Sequence, residues 1–198
     1  REGADPAALR VFVDPIDGTT NYAHGHPFYA TSVGFVRAGR AIAGAVVAPS
    51  LHLTWSAAAG GPTLRGDAPC HVTDTAALSD ALLATGFPYD RRTSDDDNLA
   101  AFAALKKQAQ GIRRCGSAAL DLCLVADGTY DGYWERKLMP WDVAAGVIIA
   151  ERAGAIVTDD RGAPLVLPLD AERLHVLAAG PSLHRVLVEA LRPTRITT

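Results

Sequence analysis

Apolar residues in the first third of the chain come in short alternating blocks separated by Gly, Pro and Ser. Leu9, Val11, Phe12 and Val13 form an apolar run closed by turn-forming residues, which predicts a buried strand over 9–13 after a polar lead-in at 1–8. From Phe28 to Val36 the residues alternate face by face and are rich in β-branched and aromatic types, so a second strand is expected. Arg37-Ala38-Gly39-Arg40 reads as a hairpin turn into a paired strand over 41–48. Pro49-Ser50 turns the chain again, and Leu51, Leu53 and Trp55 open a third strand. Gly60-Gly61-Pro62 precedes a short fourth at 63–65. A meander of this kind makes an antiparallel sheet, and a sheet alone carries no chemistry.

The pattern then changes. Residues 81–86 predict a buried strand that ends in a Gly-Phe-Pro loop. Leu99, Phe102, Ala103 and Leu105 have helical spacing, with Ser94 and Asp97 before them as a capping-box variant. The three acids at 95–97 read as a solvated helix cap, favoured by the macrodipole, in preference to a metal site. A short strand is expected at 112–115, a helix from Gly116-Ser117 to about Ala126, and a strand over 129–135 ending in Glu135. Pro140 suits the first turn of a helix, and 143–153 is apolar almost all round, so that helix should be buried and stopped by Gly154. A strand at 155–158, a polar turn, a Leu/Pro stretch, a strand at 174–179 and a helix at 183–191 complete the chain. Alternating strands and helices predict a second, largely α/β-type sheet in one domain of two halves, about 1–75 and 76–198.

Candidate chemistry lies where these elements end. Asp14-Pro15-Ile16-Asp17-Gly18-Thr19-Thr20-Asn21 leaves the first strand. Pro15 fixes its own φ and Gly18 permits a turn, so the two carboxylates can converge. Two such charges about 5 Å apart repel by roughly 3 kcal/mol at an effective dielectric of ~20, so a cation between them is expected. Oxygen donors favour a hard ion such as magnesium. N–H groups and hydroxyls of Gly18, Thr19 and Thr20 beside it suit a phosphate oxygen. The alternative is an Asx-type turn with two capping aspartates. Gly116-Ser117 at a helix start offers N–H groups and a hydroxyl to an anion or a sugar, or is an ordinary serine cap. Asp142 sits at the positive end of the buried helix, where it is expected to stay ionised for a cation, or again simply to cap. His24 and His26, flanked by Gly25 and Pro27, read as a plain loop.

The octapeptide, together with Pro140-Trp141-Asp142-Val143-Ala144-Ala145-Gly146, resembles the two signatures of the inositol monophosphatase family, magnesium-dependent and lithium-sensitive sugar phosphatases. The resemblance spans essentially the whole chain. It implies a layered α-β-α-β-α sandwich of the inositol monophosphatase and fructose bisphosphatase type. It also implies magnesium held by Asp14, Asp17, Asp142 and the carbonyl of Ile16. Gly18 and Thr19 would hold the phosphate, with Thr20 beside them, and Thr19 would orient the attacking water; Asp17 and Thr19 are thus the catalytic candidates. Gly116, Ser117, Ala118 and Glu135 would contact the sugar, with Asp142 also at the substrate. Gly-Thr-Thr-Asn-Tyr favours inositol monophosphate over histidinol phosphate, fructose bisphosphate or adenosine bisphosphate. A homodimer is implied as well. Ala155 stands where the family often has a second glycine, with little expected consequence. In the family a segment with a glutamate ligand and a water-activating aspartate precedes the octapeptide, and Arg1 begins after it. The expectation is therefore a truncated chain with a weakened first metal site and an exposed apolar face. A non-catalytic binding or assembly role is the alternative function.

Composition narrows the rest. The chain has 198 residues, 48% apolar and 21% charged, enough for a sizeable core. Its net charge of −3 gives no case for nucleic acid or an anionic membrane as partner. No apolar run is long enough to span a bilayer. Three cysteines without metal-ligand spacing point to a reducing, cytoplasmic setting.

Overall fold

The computed structural model describes residues 7–168 and 173–195, so most of the polar lead-in and part of the Leu/Pro stretch lie outside the described residues. The first sheet is the expected meander. Strands β1 (Arg10–Asp17), β2 (Ala30–Arg37), β3 (Arg40–Ala48), β4 (Leu53–Ala58), β5 (Leu64–Arg65) and β6 (Ala68–Pro69) lie side by side in chain order, each antiparallel to the next. The β2–β3 turn places Ala38 at φ 49° and Gly39 at φ 74°, a two-residue geometry whose twist matches its strands.

One correction here bears on the chemistry. β1 does not end at Val13; it runs through the octapeptide to Asp17. Asp14 pairs with Ser32 and Asp17 with Ala30, so three steps on β1 match two on β2. In a regular strand, residues three apart face opposite ways. The extra residue of this bulge turns both aspartates to one face. Pro15 had read as a turn signal, but an edge strand tolerates a proline at a bulge.

The second sheet contains β7 (Leu82–Thr85), β8 (Gly111–Arg113), β9 (Gly132–Leu138), β10 (Ile156–Thr158) and β11 (Leu174–Ala179) in the order β10-β11-β9-β7-β8. Only β8-β7-β9 is parallel; β10 and β11 pair antiparallel, so the sheet is mixed and not of pure α/β type. β9 also continues past Glu135 to Leu138, where it pairs with Leu174.

Helices α1 (Thr19–Ala23), α2 (Leu99–Lys106), α3 (Ala118–Ala126), α4 (Pro140–Arg152) and α5 (Pro181–Leu191) complete the described fold. α3 and α4 lie between the sheets. Trp55, Leu120 and Ile149 belong to the core on one side of them, and Tyr133, Val176 and Ala178 to the core on the other. A third core, around Leu83, Trp134 and Leu177, sits beneath α2 and α5. The described residues thus form four of the five layers of the expected sandwich.

The signature Ala144-Ala145-Gly146 has a steric cause. A Cβ on Gly34 would stand 2.6 Å from that of Ala144, and one on Gly44 2.7 Å from Cα of Ala145. On the opposite side a Cβ on Gly146 would stand 2.7 Å from the Leu122 side chain. Only small residues allow α4 to lie this close to both neighbours. Gly154 follows α4 at φ 100°, as a C-terminal stop requires, and Ala155 is buried in the core. An exposed apolar face is also present: Val11 and Val13 on β1 are each 52% exposed, with Leu9 beside them.

The start of α2 departs from expectation. Asn98, at φ 67°, precedes the helix, and no Ser94 capping box forms. Asp97 Oδ1 accepts from Leu99 N at 2.8 Å, while Asp96 pairs with Arg136 at 2.9 Å. Asp97 thus caps the helix start through an exposed hydrogen bond and Asp95 is exposed, as expected, whereas Asp96 is drawn away by cations of β9, far along the sequence.

Candidate active site

The end of β1 and the first turns of α1, α3 and α4 meet Glu135 of β9 at one edge of the layered fold. Asp17 is 8% exposed, and its Oδ2 accepts from Ser117 Oγ at 2.6 Å and from Ala119 N at 2.8 Å. Asp14 Oδ1 accepts from Ile16 N at 3.0 Å. Asp142 Oδ2 accepts from Met139 N at 2.8 Å, closing the start of α4. Each carboxylate is therefore fixed through one oxygen. The second oxygen of each makes no hydrogen bond within the described residues.

Burial dominates their electrostatics. It pushes the Asp17 carboxyl up to about 8 and that of Asp142 up to about 6, and raises Asp14 as well. Mutual repulsion adds to this, whereas the hydrogen bonds oppose it. Desolvation works against the helix end at Asp142, but a carboxyl near 6 still loses its proton below neutral pH. Neither lysine nor arginine is among the groups acting on these three carboxyls.

That deficit is what a cation would fill. Among the described residues no group of three or more Asp, Glu, His or Cys side chains stands close enough together to hold a metal ion. Magnesium does not require one, since it commonly binds one or two carboxylates and keeps waters or substrate oxygens. Pro15 and Ile16 have no register partner on β2 and lie in the bulge between the two aspartates. The buried Ser32 hydroxyl, across from Asp14, also has no hydrogen-bond partner. The donor set is all oxygen and fits a hard cation.

Gly18 sits at φ 84°, and a Cβ there would stand 3.0 Å from Phe28 O and 3.1 Å from Gly116 O. This left-handed turn starts α1, whose first backbone bond is Tyr22 N to Gly18 O. The N–H groups of Thr19, Thr20 and Asn21 precede that bond at an exposed helix start. Gly116, at φ 85°, and buried Ala118 flank Ser117. The Ser117 hydroxyl caps α3, accepting from Leu120 N at 3.4 Å while it donates to Asp17. With 1% exposure it braces Asp17 and does not face open space. Glu135 accepts from the Tyr133 hydroxyl at 2.7 Å, and burial raises its carboxyl to about 7 against the pull of Arg114. His24 and His26 are exposed in a loop, as expected.

Three residues escaped the sequence reading. Asn21 donates to Phe28 O and to Cys115 O, both at 2.7 Å, tying the octapeptide to the chain before α3. Its place inside the octapeptide was the available signal. Asp121 is 1% exposed, and neither of its oxygens is hydrogen-bonded within the described residues. Burial raises its carboxyl far above the ordinary range, beside Glu135 and Asp17. In sequence it is one more helical aspartate. Tyr89 follows Gly86-Phe87-Pro88 in the loop, and its phenol interacts with Thr19 and with the charges of Asp142, Asp17 and Glu135.

Comparison with known proteins points to one family. The inositol monophosphatase family profile matches residues 2–195. The inositol monophosphatase of Anabaena (Nostoc) sp. PCC 7120 superposes with a TM-score of 0.88 at 44% identity, over 93% of this chain and 75% of that one. An inositol-1-monophosphatase of Synechocystis is 41% identical across 92% of this chain, which spans 62% of that protein's length. The Nus factor SuhB of Pseudomonas aeruginosa is 37% identical over 97% of this chain and 69% of its own length. Two signatures brought together in space, a shared layered fold and a profile match from end to end establish that the chain belongs to the inositol monophosphatase family.

Proposed function

We propose that the protein is a magnesium-dependent, lithium-sensitive phosphomonoesterase that hydrolyses inositol monophosphate or a closely related polyol phosphate. The observation that carries this reading is the set Asp14, Asp17 and Asp142: three carboxyls, each fixed by one oxygen, with no positive charge facing them. Asp14, Asp17, Asp142 and the Ile16 carbonyl would hold magnesium. When bound, that ion lowers the pKa of water and offsets charge on the phosphate and the leaving oxygen.

The remaining roles belong to the chain itself. Gly18, Thr19 and Thr20 present N–H groups and hydroxyls to the phosphate oxygens, and the Thr19 hydroxyl orients the attacking water. Ser117 and Ala119 hold Asp17 in place. The Gly116–Ala118 turn and Glu135 border the alcohol half of the ester, and Tyr133 fixes one Glu135 oxygen. Phosphoryl transfer needs positioning and charge stabilisation more than a covalent nucleophile, and this site offers the former. We further propose a cytoplasmic setting, which the free cysteines Cys70, Cys115 and Cys123 suit, and a homodimer, which the family resemblance implies.

A binding role in an assembly is the second reading, favoured by a relative that carries the name Nus factor. Phosphate release from inositol 1-phosphate, histidinol phosphate, fructose 1,6-bisphosphate and adenosine 3′,5′-bisphosphate by the whole protein separates these readings. Preference for inositol 1-phosphate is expected. Strong preference for another ester removes the inositol assignment, and release from none of them leaves the binding role.

A further inference from the structure

Tyr89 is 83% exposed, the highest value among the exposed large apolar side chains described. An aromatic ring of this size is usually kept at least partly from water. Its surroundings show that it is held there. The loop from Gly86 to Asn98 joins β7 to α2 and is fastened to β9 at several points. Asn98 Nδ2 donates to Gly86 O at 2.6 Å and to Thr85 Oγ1 at 2.9 Å, while Trp134 Nε1 donates to Asn98 Oδ1 at 2.9 Å. Lys137 Nζ donates to Asp90 Oδ2 at 3.2 Å and to Ser94 Oγ at 2.6 Å. Arg136 holds Asp96 at 2.9 Å.

Trp134, Arg136 and Lys137 flank Glu135, so the loop is tied to the strand segment that carries that carboxylate. Gly86 abuts Glu135 so closely that a Cβ there would run into its carboxyl group. With residue 86 against Glu135 and residue 90 tied to Lys137, Tyr89 is carried by a stretch of loop held beside Glu135. Its hydroxyl has Thr19 as a hydrogen-bond partner, and the charges of Asp142, Asp17 and Glu135 act on it.

We propose that Tyr89 is a specificity-determining residue for the alcohol half of the ester, favouring cyclic polyols over short open-chain ones. This rests on the phosphomonoesterase reading above. A ring substrate presents a face of C–H groups to the flat phenol, while the hydroxyl donates to a substrate oxygen between Thr19 and Glu135. An open-chain polyol such as glycerol covers less of that ring. Lys137 is a positioning residue that acts through Asp90. A pre-held loop loses little freedom on binding, so the contact contributes to affinity.

The test compares inositol 1-phosphate with 2-glycerophosphate in the whole protein, wild type and variants. Tyr89→Ala is expected to raise KM for inositol 1-phosphate about tenfold and to change KM for 2-glycerophosphate less than about twofold. Tyr89→Phe should retain most of the discrimination, because the ring remains. Lys137→Met should move the same ratio in the same direction by less, with kcat for 2-glycerophosphate unchanged. Equal effects of Tyr89→Ala on both esters, or no effect on either, overturn the assignment of Tyr89 alone. No hydrolysis of either ester by the wild type overturns the proposed function and this assignment with it.

Discussion

Ser117 Oγ donates to Asp17 Oδ2 at 2.6 Å, joining residues 100 apart in the chain. The hydroxyl also accepts from Leu120 N, so one serine starts α3 and braces the octapeptide. Ser117→Ala removes both bonds and leaves a buried carboxylate oxygen with one donor fewer. It should lower stability by about 1–2 kcal/mol, read as a shift of the urea midpoint at unchanged slope. A midpoint equal to that of the wild type would mean that the bond contributes nothing to the fold.

The contact between α4 and the first sheet predicts a second outcome. Gly44→Val forces side-chain carbons into Ala145 and Ile148, so a loss of about 3 kcal/mol or failure to fold is expected. Gly61→Ala is the control. Its nearest neighbour stands 3.7 Å from an added Cβ, and stability should change by less than about 0.5 kcal/mol. Urea denaturation of the two variants side by side checks this.

Asn98→Ala leaves the Trp134 indole N–H without its acceptor and takes a donor from both Thr85 Oγ1 and the Gly86 carbonyl, deep under α2. It also places alanine at φ 67°, which asparagine tolerates better. A loss of about 2–3 kcal/mol is expected from calorimetric unfolding. Because Asn98 anchors the Tyr89 loop, the preference for cyclic esters should weaken in the same variant.

The raised carboxyls set the pH dependence without metal. Asp17 moves from 3.8 to about 8 on folding, Glu135 from 4.5 to about 7 and Asp142 from 3.8 to about 6. Between the unfolded and folded values the folded chain binds protons that the unfolded chain has released. Its stability therefore falls as pH rises from near 4 toward 8. A scan of Tm against pH in EDTA should show that decline, and magnesium should flatten it by replacing protons at Asp17 and Asp142. A metal-free Tm that climbs through this window would contradict the assignment.

Much of this was legible in the chain because local rules and tertiary outcome agree. The hairpin at Ala38-Gly39, Pro140 opening α4 and the apolar run to Gly154 fell where turn chemistry and periodicity placed them. The family signatures named Asp14, Asp17 and Asp142, and the fold brings their elements together. What escaped depends on partners distant in sequence. Pro15 announces a turn in any window of residues, and only pairing with β2 makes it part of a bulge. Asp96 looks like one more acid of the cap until Arg136 arrives from β9. Asp142 at a helix start gives no local sign of the burial that raises its carboxyl. Asp121 and Tyr89 carry no local mark at all, since one is set apart by what surrounds it and the other by how its loop is tied.

The most direct test is magnesium-dependent release of phosphate from inositol 1-phosphate by the wild type and by Asp142→Asn, with both folded by circular dichroism. The account predicts that release by the wild type requires magnesium and is suppressed by lithium. It also predicts that Asp142→Asn loses more than about tenfold of that rate at any magnesium concentration. Release that persists in EDTA, or an Asp142→Asn variant as fast as the wild type, would contradict a cation held between these aspartates.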